Sequence, residues 1–202
     1  MQVGLGVAEL LHEDLGEAAA ALCAAIDLAP LDPRAYSYLA KVPAVPAALA
    51  GQVLRRFQSH AEAEPRDPRA LFFYAVSLWN SSGEQPDSGD VAKVETLLRN
   101  ALTLDPAFAE AHLQLGLLHS RQQNHAAAVQ EYERAIKFNA SLRLAHYRLG
   151  QALIQVGEEQ RGKEQLEIWS QMRSMERAES EKAHSQLLQF VYSPPAETHS
   201  GR

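Results

Sequence analysis

The sequence predicts an all-α fold, an α-solenoid of stacked helix–turn–helix units. Three observations carry this prediction. "AHLQLG" at 111–116 returns as "AHYRLG" at 145–150, and "LLRNALTLDP" (97–106) aligns with "EYERAIKFNA" (131–140), both at an offset of 34 residues. "DPRAYSYLA" (32–40) resembles "DPRALFFYA" (67–75) at an offset of 35. Within each unit, apolar residues recur at the 3, 4, 7 spacing of an amphipathic helix. A fixed period in this range marks a repeat array in which each unit covers the apolar face of its neighbour.

The array is expected to span 1–175, in units of about 1–31, 32–66, 67–108, 109–142 and 143–175. In the first, Leu5-Gly6 stands where Leu115-Gly116 and Leu149-Gly150 stand later. Met1 falls only five residues before Gly6, so the first helix is expected to be clipped and upstream sequence, with any export signal, to be missing. The second and third units open on Asp32-Pro33 and Asp67-Pro68. There the Asp accepts from free first-turn amides and the Pro needs no donor. Pro43 and Pro46 should stop the first helix of unit two early. Unit three turns Leu71, Tyr74, Ala75 and Leu78 inward, and its "NSSGEQPDSGD" (80–90) reads as an exposed loop. Unit four carries His112, Leu115, Gly116 and His119, a polar break at "RQQNH", then Ala128, Val129, Tyr132, Ala135 and Ile136. Unit five repeats this with His146, Leu149, Gly150 and Leu153, a turn at Gly157, then Gly162, Leu166 and Trp169. Residues 176–192 are expected to form a capping helix and 193–202 a disordered tail.

Each helix of roughly 12–15 residues is marginal alone in water, so stability must come from packing. Gly6, Leu115, Gly116, Ala128, Tyr132, Ala135, Leu149 and Gly150 are the expected packing positions. Gly116 and Gly150 should let two helix backbones approach closely, and a larger residue there should overpack the junction. His112 and His146 are expected to stack across units and approach each other as a packed, hydrogen-bonded pair.

Leu-Gly in the first helix, Ala128, Tyr132 and Ala135 in the second, and the closing "LDP" (104–106) resemble the tetratricopeptide repeat. His112 and His146 replace the usual large aromatic, Ala140 the terminal Pro, and Gly162 a small Ala. The resemblance implies a right-handed superhelix with a concave groove lined by the outward faces of successive first helices. That face would carry Arg69, Phe72, Phe73, Val76 and Trp79 in unit three, and Leu113, Gln114, Leu117 and Arg121 in unit four. In unit five it would carry Tyr147, Arg148, Gln151, Ile154 and Gln155. An apolar floor edged by Arg and Gln suits a peptide or helix. The alternative is that the long insertion or the C-terminal helix covers these aromatics. Some family members hold a terminal carboxylate with Lys and Asn on this face. Val76, Gln114 and Leu144 supply no such clamp.

The expected function is therefore a non-catalytic adaptor or scaffold binding an unknown protein or peptide. Alternatives are an accessory or substrate-presenting region of a larger enzyme or secreted protein, and a self-associating structural module. Residues 1–33 hold six acids and no Lys or Arg, while 34–202 hold 19 of each sign. No basic stripe exists to meet phosphates, so nucleic acid is not an expected partner. Cys23 is the single cysteine, expected to be a buried thiol, and excludes an intrachain disulfide. No apolar run approaches the ~20 residues of a membrane span. No Gly-rich phosphate loop, HExxH, GxSxG or Cys-x-x-Cys occurs, so no enzyme, cofactor or metal site is expected. The compartment is left open: cytoplasmic by default, exported if a signal precedes Met1.

Overall fold

The structure is a computed structural model and describes residues 15–30, 32–42, 45–83 and 87–192. Among them are nine helices and no strand: α1 (Leu15–Leu28), α2 (Pro33–Leu39), α3 (Ala47–Ala63), α4 (Pro68–Ser81), α5 (Ser88–Leu104), α6 (Ala109–Arg121), α7 (His125–Phe138), α8 (Arg143–Gln155) and α9 (Glu159–Tyr192). They form the hairpins α2/α3, α4/α5, α6/α7 and α8/α9, with α1 as the second helix of unit one. Gly6 and the expected tail at 193–202 lie outside the described residues.

Helix starts follow local chemistry. Asp32 and Asp67 accept from the amides of Arg34 and Arg69 at 3.0 and 2.9 Å, with Pro33 and Pro68 as first helical residues. Asp87 caps α5 through Asp90 N at 2.8 Å, and Asn124 caps α7 through Ala127 N at 3.2 Å. The Arg34 side chain and amide together hold the Asp32 carboxyl down to about 2. α2 ends after 7 residues, against 13 in α6 and α8, as the prolines of 43–46 require. The α6–α7 and α8–α9 turns share one geometry. Gln123 (φ 61°) and Gly157 (φ 89°), 34 residues apart, take the left-handed conformation. The next amides, of Asn124 and Glu158, reach back to the His119 and Leu153 carbonyls at 2.9 Å.

Packing runs from neighbour to neighbour. Consecutive helices from α3 to α9 pack on each other, α1 packs on α2 and α3, and α8 also touches α6. α2 meets α3 through Tyr36, whose ring lies 5.9 Å from Phe57 and stacks on His60 at 3.9 Å. One core extends from Ala19 to Leu118, and a second joins Leu113 to α7 and α8. The Leu-Gly positions are tight within each hairpin. A Cβ on Gly150 would stand 2.7 Å from Leu166 and 3.0 Å from the Gly162 carbonyl oxygen, the close backbone approach expected. At Gly116 a Cβ would instead stand 2.5 Å from the Tyr132 ring, so that glycine makes room for an aromatic.

α9 departs from expectation. Its 34 residues are continuous, with no break near 175, so 176–192 is the extension of the last helix and not a separate cap. Trp169 and Met172 are half-buried, whereas 173–186 are exposed. "RSMERAESEKAHS" offers no apolar stripe to hold the chain against the array and no Gly or Pro to turn it back.

Candidate functional site

The first helices α2, α4, α6 and α8 present the side chains expected to line a groove. Around α2, α4 and α6 lies a cavity of about 680 Å³. Arg69, Phe72, Phe73 and Val76 of α4 and Gln114 of α6 line it, with Ser37, Ala40 and Lys41 at the end of α2. Asp105, Phe108 and Glu110 close one side, and Phe138 and Asn139 another. The rings partly cover one another: Phe72 lies 4.9 Å from Phe108 and 5.8 Å from Phe73, and Phe73 lies 5.8 Å from Phe57. A smaller cavity of about 340 Å³ opens behind α2 between Val42, Val53, Phe57 and Val76. α2's early stop leaves the smaller one open beside Ser77, Asn80 and Ser81, the part of α4 that lies beyond the end of α2.

Units four and five together form a third, polar cavity of about 330 Å³, lined by Ser120, Gln123, His125, Arg148, Gln151, Ala152 and Gln155. The Arg148 guanidinium sits 5.6 Å from the Tyr147 ring centre, and its Nη1 donates to Gln151 Oε1 at 3.2 Å. Gln151 donates to the Tyr147 hydroxyl at 2.9 Å, and Trp169 of α9 covers one side of Tyr147 at 5.0 Å. Arg148 Nε is buried and makes no hydrogen bond. Between the cavities, Arg121 lies over the Trp79 ring at 4.6 Å.

Some expected groove residues lie elsewhere. Leu113 is 6% exposed and belongs to the core shared with α7 and α8, not to an open face. α6 is sandwiched between α5 on one side and α7 and α8 on the other, so it has two buried stripes where a single periodicity assigns one. Leu117 packs, half-buried, on the same core. A Cβ on Gly162 would stand 2.7 Å from Ile154 Cγ1, so Ile154 packs beside its own hairpin partner while remaining 38% exposed. Reading only first helices misses Phe108, in the α5–α6 turn, and Phe138, at the end of α7. A large apolar residue inside a turn was the available signal.

The histidines do not pair across units. His112 Nδ1 bonds Glu131 Oε2 at 2.7 Å and its Nε2 faces the Pro106 carbonyl at 3.2 Å. His146 bonds Gln165 Oε1 at 2.8 Å and the Ala140 carbonyl at 3.1 Å. Each ring thus locks its own unit, tying its first helix to its second helix and to the turn before it. Burial would raise the Glu131 carboxyl, but the His112 bond and the Arg134 charge outweigh it and hold the group below its ordinary 4.5. Cys23 is buried, and that burial pushes its thiol up. Among the described residues no group of three or more His, Cys, Asp or Glu side chains is placed to hold a metal ion. None of the described helices is long and apolar enough to cross a membrane.

Comparison with known proteins agrees with this architecture. The tetratricopeptide-repeat family model matches residues 87–142, from the cap of α5 to the residue before α8. A thermophilic TPR protein of Thermus thermophilus is similar in structure with a TM-score of 0.72 at 18% identity, over 93% of this chain and 97% of that one. PilF of Pseudomonas aeruginosa follows with 0.63 at 16%, over 95% and 90%. MamA matches with 0.61 at 15%, over 86% and 97%. No curated protein matches the sequence. Arrays of this fold serve in general as protein-interaction scaffolds. The hairpin period, the Leu-Gly junctions and these matches show that the chain has the fold of a tetratricopeptide-repeat array, and over residues 87–142 it matches the family model itself.

Proposed function

We propose that this chain is a non-catalytic scaffold that binds a segment of another protein across its first helices, seated on Phe72, Phe73, Val76 and Phe108. The observation that carries this is the cavity of about 680 Å³ spanning three units, floored by half-buried aromatic rings. Rings of that size left partly open, with Arg and Gln at the margin, form a surface on which a peptide gains apolar burial and fixed orientation. The described ends of the long loop do not supply the cover: Ser82 bonds the Leu78 carbonyl and Asp90, and Asp87 caps α5.

A photo-crosslinking residue placed at Val76, in native lysate, is expected to capture protein partners that the same residue at exposed Ala92 on α5 does not. Adding Phe72→Ala should abolish the Val76 adducts. Equal capture at both positions, or adducts that survive Phe72→Ala, would remove the groove assignment. Self-association is a second reading, favoured by the exposed length of α9 over 173–186, where Met175 is 65% exposed. Light scattering across a concentration series decides it: a monomer throughout removes it.

A further inference from the structure

We infer that the polar cavity beside the α6–α7 turn takes the carboxylate of an Asp or Glu side chain, so the segment bound along the first helices is acidic at that end. The inference rests on the groove proposed above and names the chemistry of its occupant.

The composition of the cavity points to it. Elsewhere Arg56 meets Asp27, Arg99 meets Glu95, Arg134 meets Glu131 and Arg161 meets Glu133 and Glu158, while Lys93, Lys137 and Arg173 lie on rings. Along the face, Arg69, Arg121 and Arg148 have no carboxylate within ion-pair distance among the described residues. Arg121 and Arg148 lie on the rings of Trp79 and Tyr147 instead. No Asp or Glu lines the polar cavity. Its polar groups are the side chains of Ser120, Gln123, His125, Arg148, Gln151 and Gln155. Arg148 Nε is buried and makes no hydrogen bond, so the guanidinium meets the cavity through its Nη groups, with Nη1 beside Gln151 Oε1. A carboxylate is acceptor-only, with room for several donors, and it matches a guanidinium that an aromatic ring already holds in place.

The ligand's charge and form follow. One fixed cation suits a monoanion, whereas a phosphorylated side chain brings nearly two charges. The face continues past the cavity to Tyr147 and Trp169, so a chain can cross it and need not end there. α6 lines both cavities, with Glu110 and Gln114 in the apolar one and Ser120 in the polar one. Six to ten helical residues separate them, roughly 9–15 Å. An extended segment covers that distance in about three to five residues and a helical one in about six to ten.

The test uses the full chain on a synthetic array of peptides about 12 residues long, blocked at both ends, which span both cavities in either conformation. The expected result is an aromatic or aliphatic anchor followed, at one of those spacings, by Asp or Glu favoured about tenfold over Asn or Gln. Arg148→Gln should erase the acid preference and keep the anchor preference. Gln155→Glu, which puts a carboxylate into the cavity from an exposed position, should do the same even if Arg148→Gln melts early. Binders without an acid preference, no binders, or a preference that survives both variants would overturn the inference. So would a repeat with free C-termini in which a terminal carboxylate replaces the side chain. Phe72→Ala separates the two readings. It should remove only the anchor preference. If the anchor persists while the acid preference still depends on Arg148, the groove reading falls and the carboxylate site stands.

Discussion

Units four and five (α6–α9) are close copies of each other, whereas units two and three (α2–α5) are irregular, and the apolar cavity lies at the irregular end. In the regular half, His112 and His146 bond at the same offsets, six residues back and nineteen forward, and both turns close on a left-handed residue. In the irregular half, α2 is cut to seven residues, and Ala75 stands where Gly116 stands, with Leu98 at the position of Tyr132. The same hairpin volume is thus filled as Ala with Leu in one unit and Gly with Tyr in another. The contrast teaches that regular stacking stabilises the array while interrupted stacking opens a surface. A helix that stops early leaves the far end of its neighbour, at Ser77, Asn80 and Ser81, without a cover.

The largest expected effect breaks the regular half. Leu115→Ala, at a residue 1% exposed, should cost about 2–5 kcal/mol in denaturant melting through lost burial and a cavity. A loss under about 1 kcal/mol would mean that the α6 junction is not close-packed.

Next comes the volume exchange. Gly116→Ala should cost about 1–3 kcal/mol because its Cβ meets the Tyr132 ring. Adding Tyr132→Leu, which copies the pair of unit three, should make the second change far cheaper than Tyr132→Leu alone. A double-mutant cycle with no coupling would break the equivalence of the two hairpins.

The smallest effect sharpens the comparison between His112 and His146. Glu131→Gln copies the Gln165 partner of unit five and should cost about 1 kcal/mol near neutral pH, the difference between a charged and a neutral hydrogen bond. The folded Glu131 carboxyl lies below its ordinary value, so its contribution is present above about pH 4.5 and is lost as pH falls through the folded value. Wild type and Glu131→Gln should therefore converge in stability as acid is added below that value. A gap that stays constant with pH would show that the carboxylate charge plays no part.

The period, the helix starts at Asp32 and Asp67, the early stop in unit two and the inward faces of α4 and α7 were legible in the sequence. Each is set by chemistry within a few residues or by a repeat distance. The site was legible in part. Arg69, Phe72, Phe73, Val76 and Gln114 share a cavity as their outward spacing implies, and Arg148, Gln151 and Gln155 share another. Leu113 was misread because whether a helix has one or two buried stripes depends on how many neighbours it meets.

By itself, the amino-acid sequence determined that this chain builds hairpins and stacks them, because backbone capping and apolar periodicity are local and repeat with the unit. Only the tertiary structure decided which side chains stay open, which partners the two histidines take, and that α9 runs on past its unit. Those outcomes depend on what lies opposite each residue, and the facing atoms come from distant positions that no spacing rule within one helix can specify.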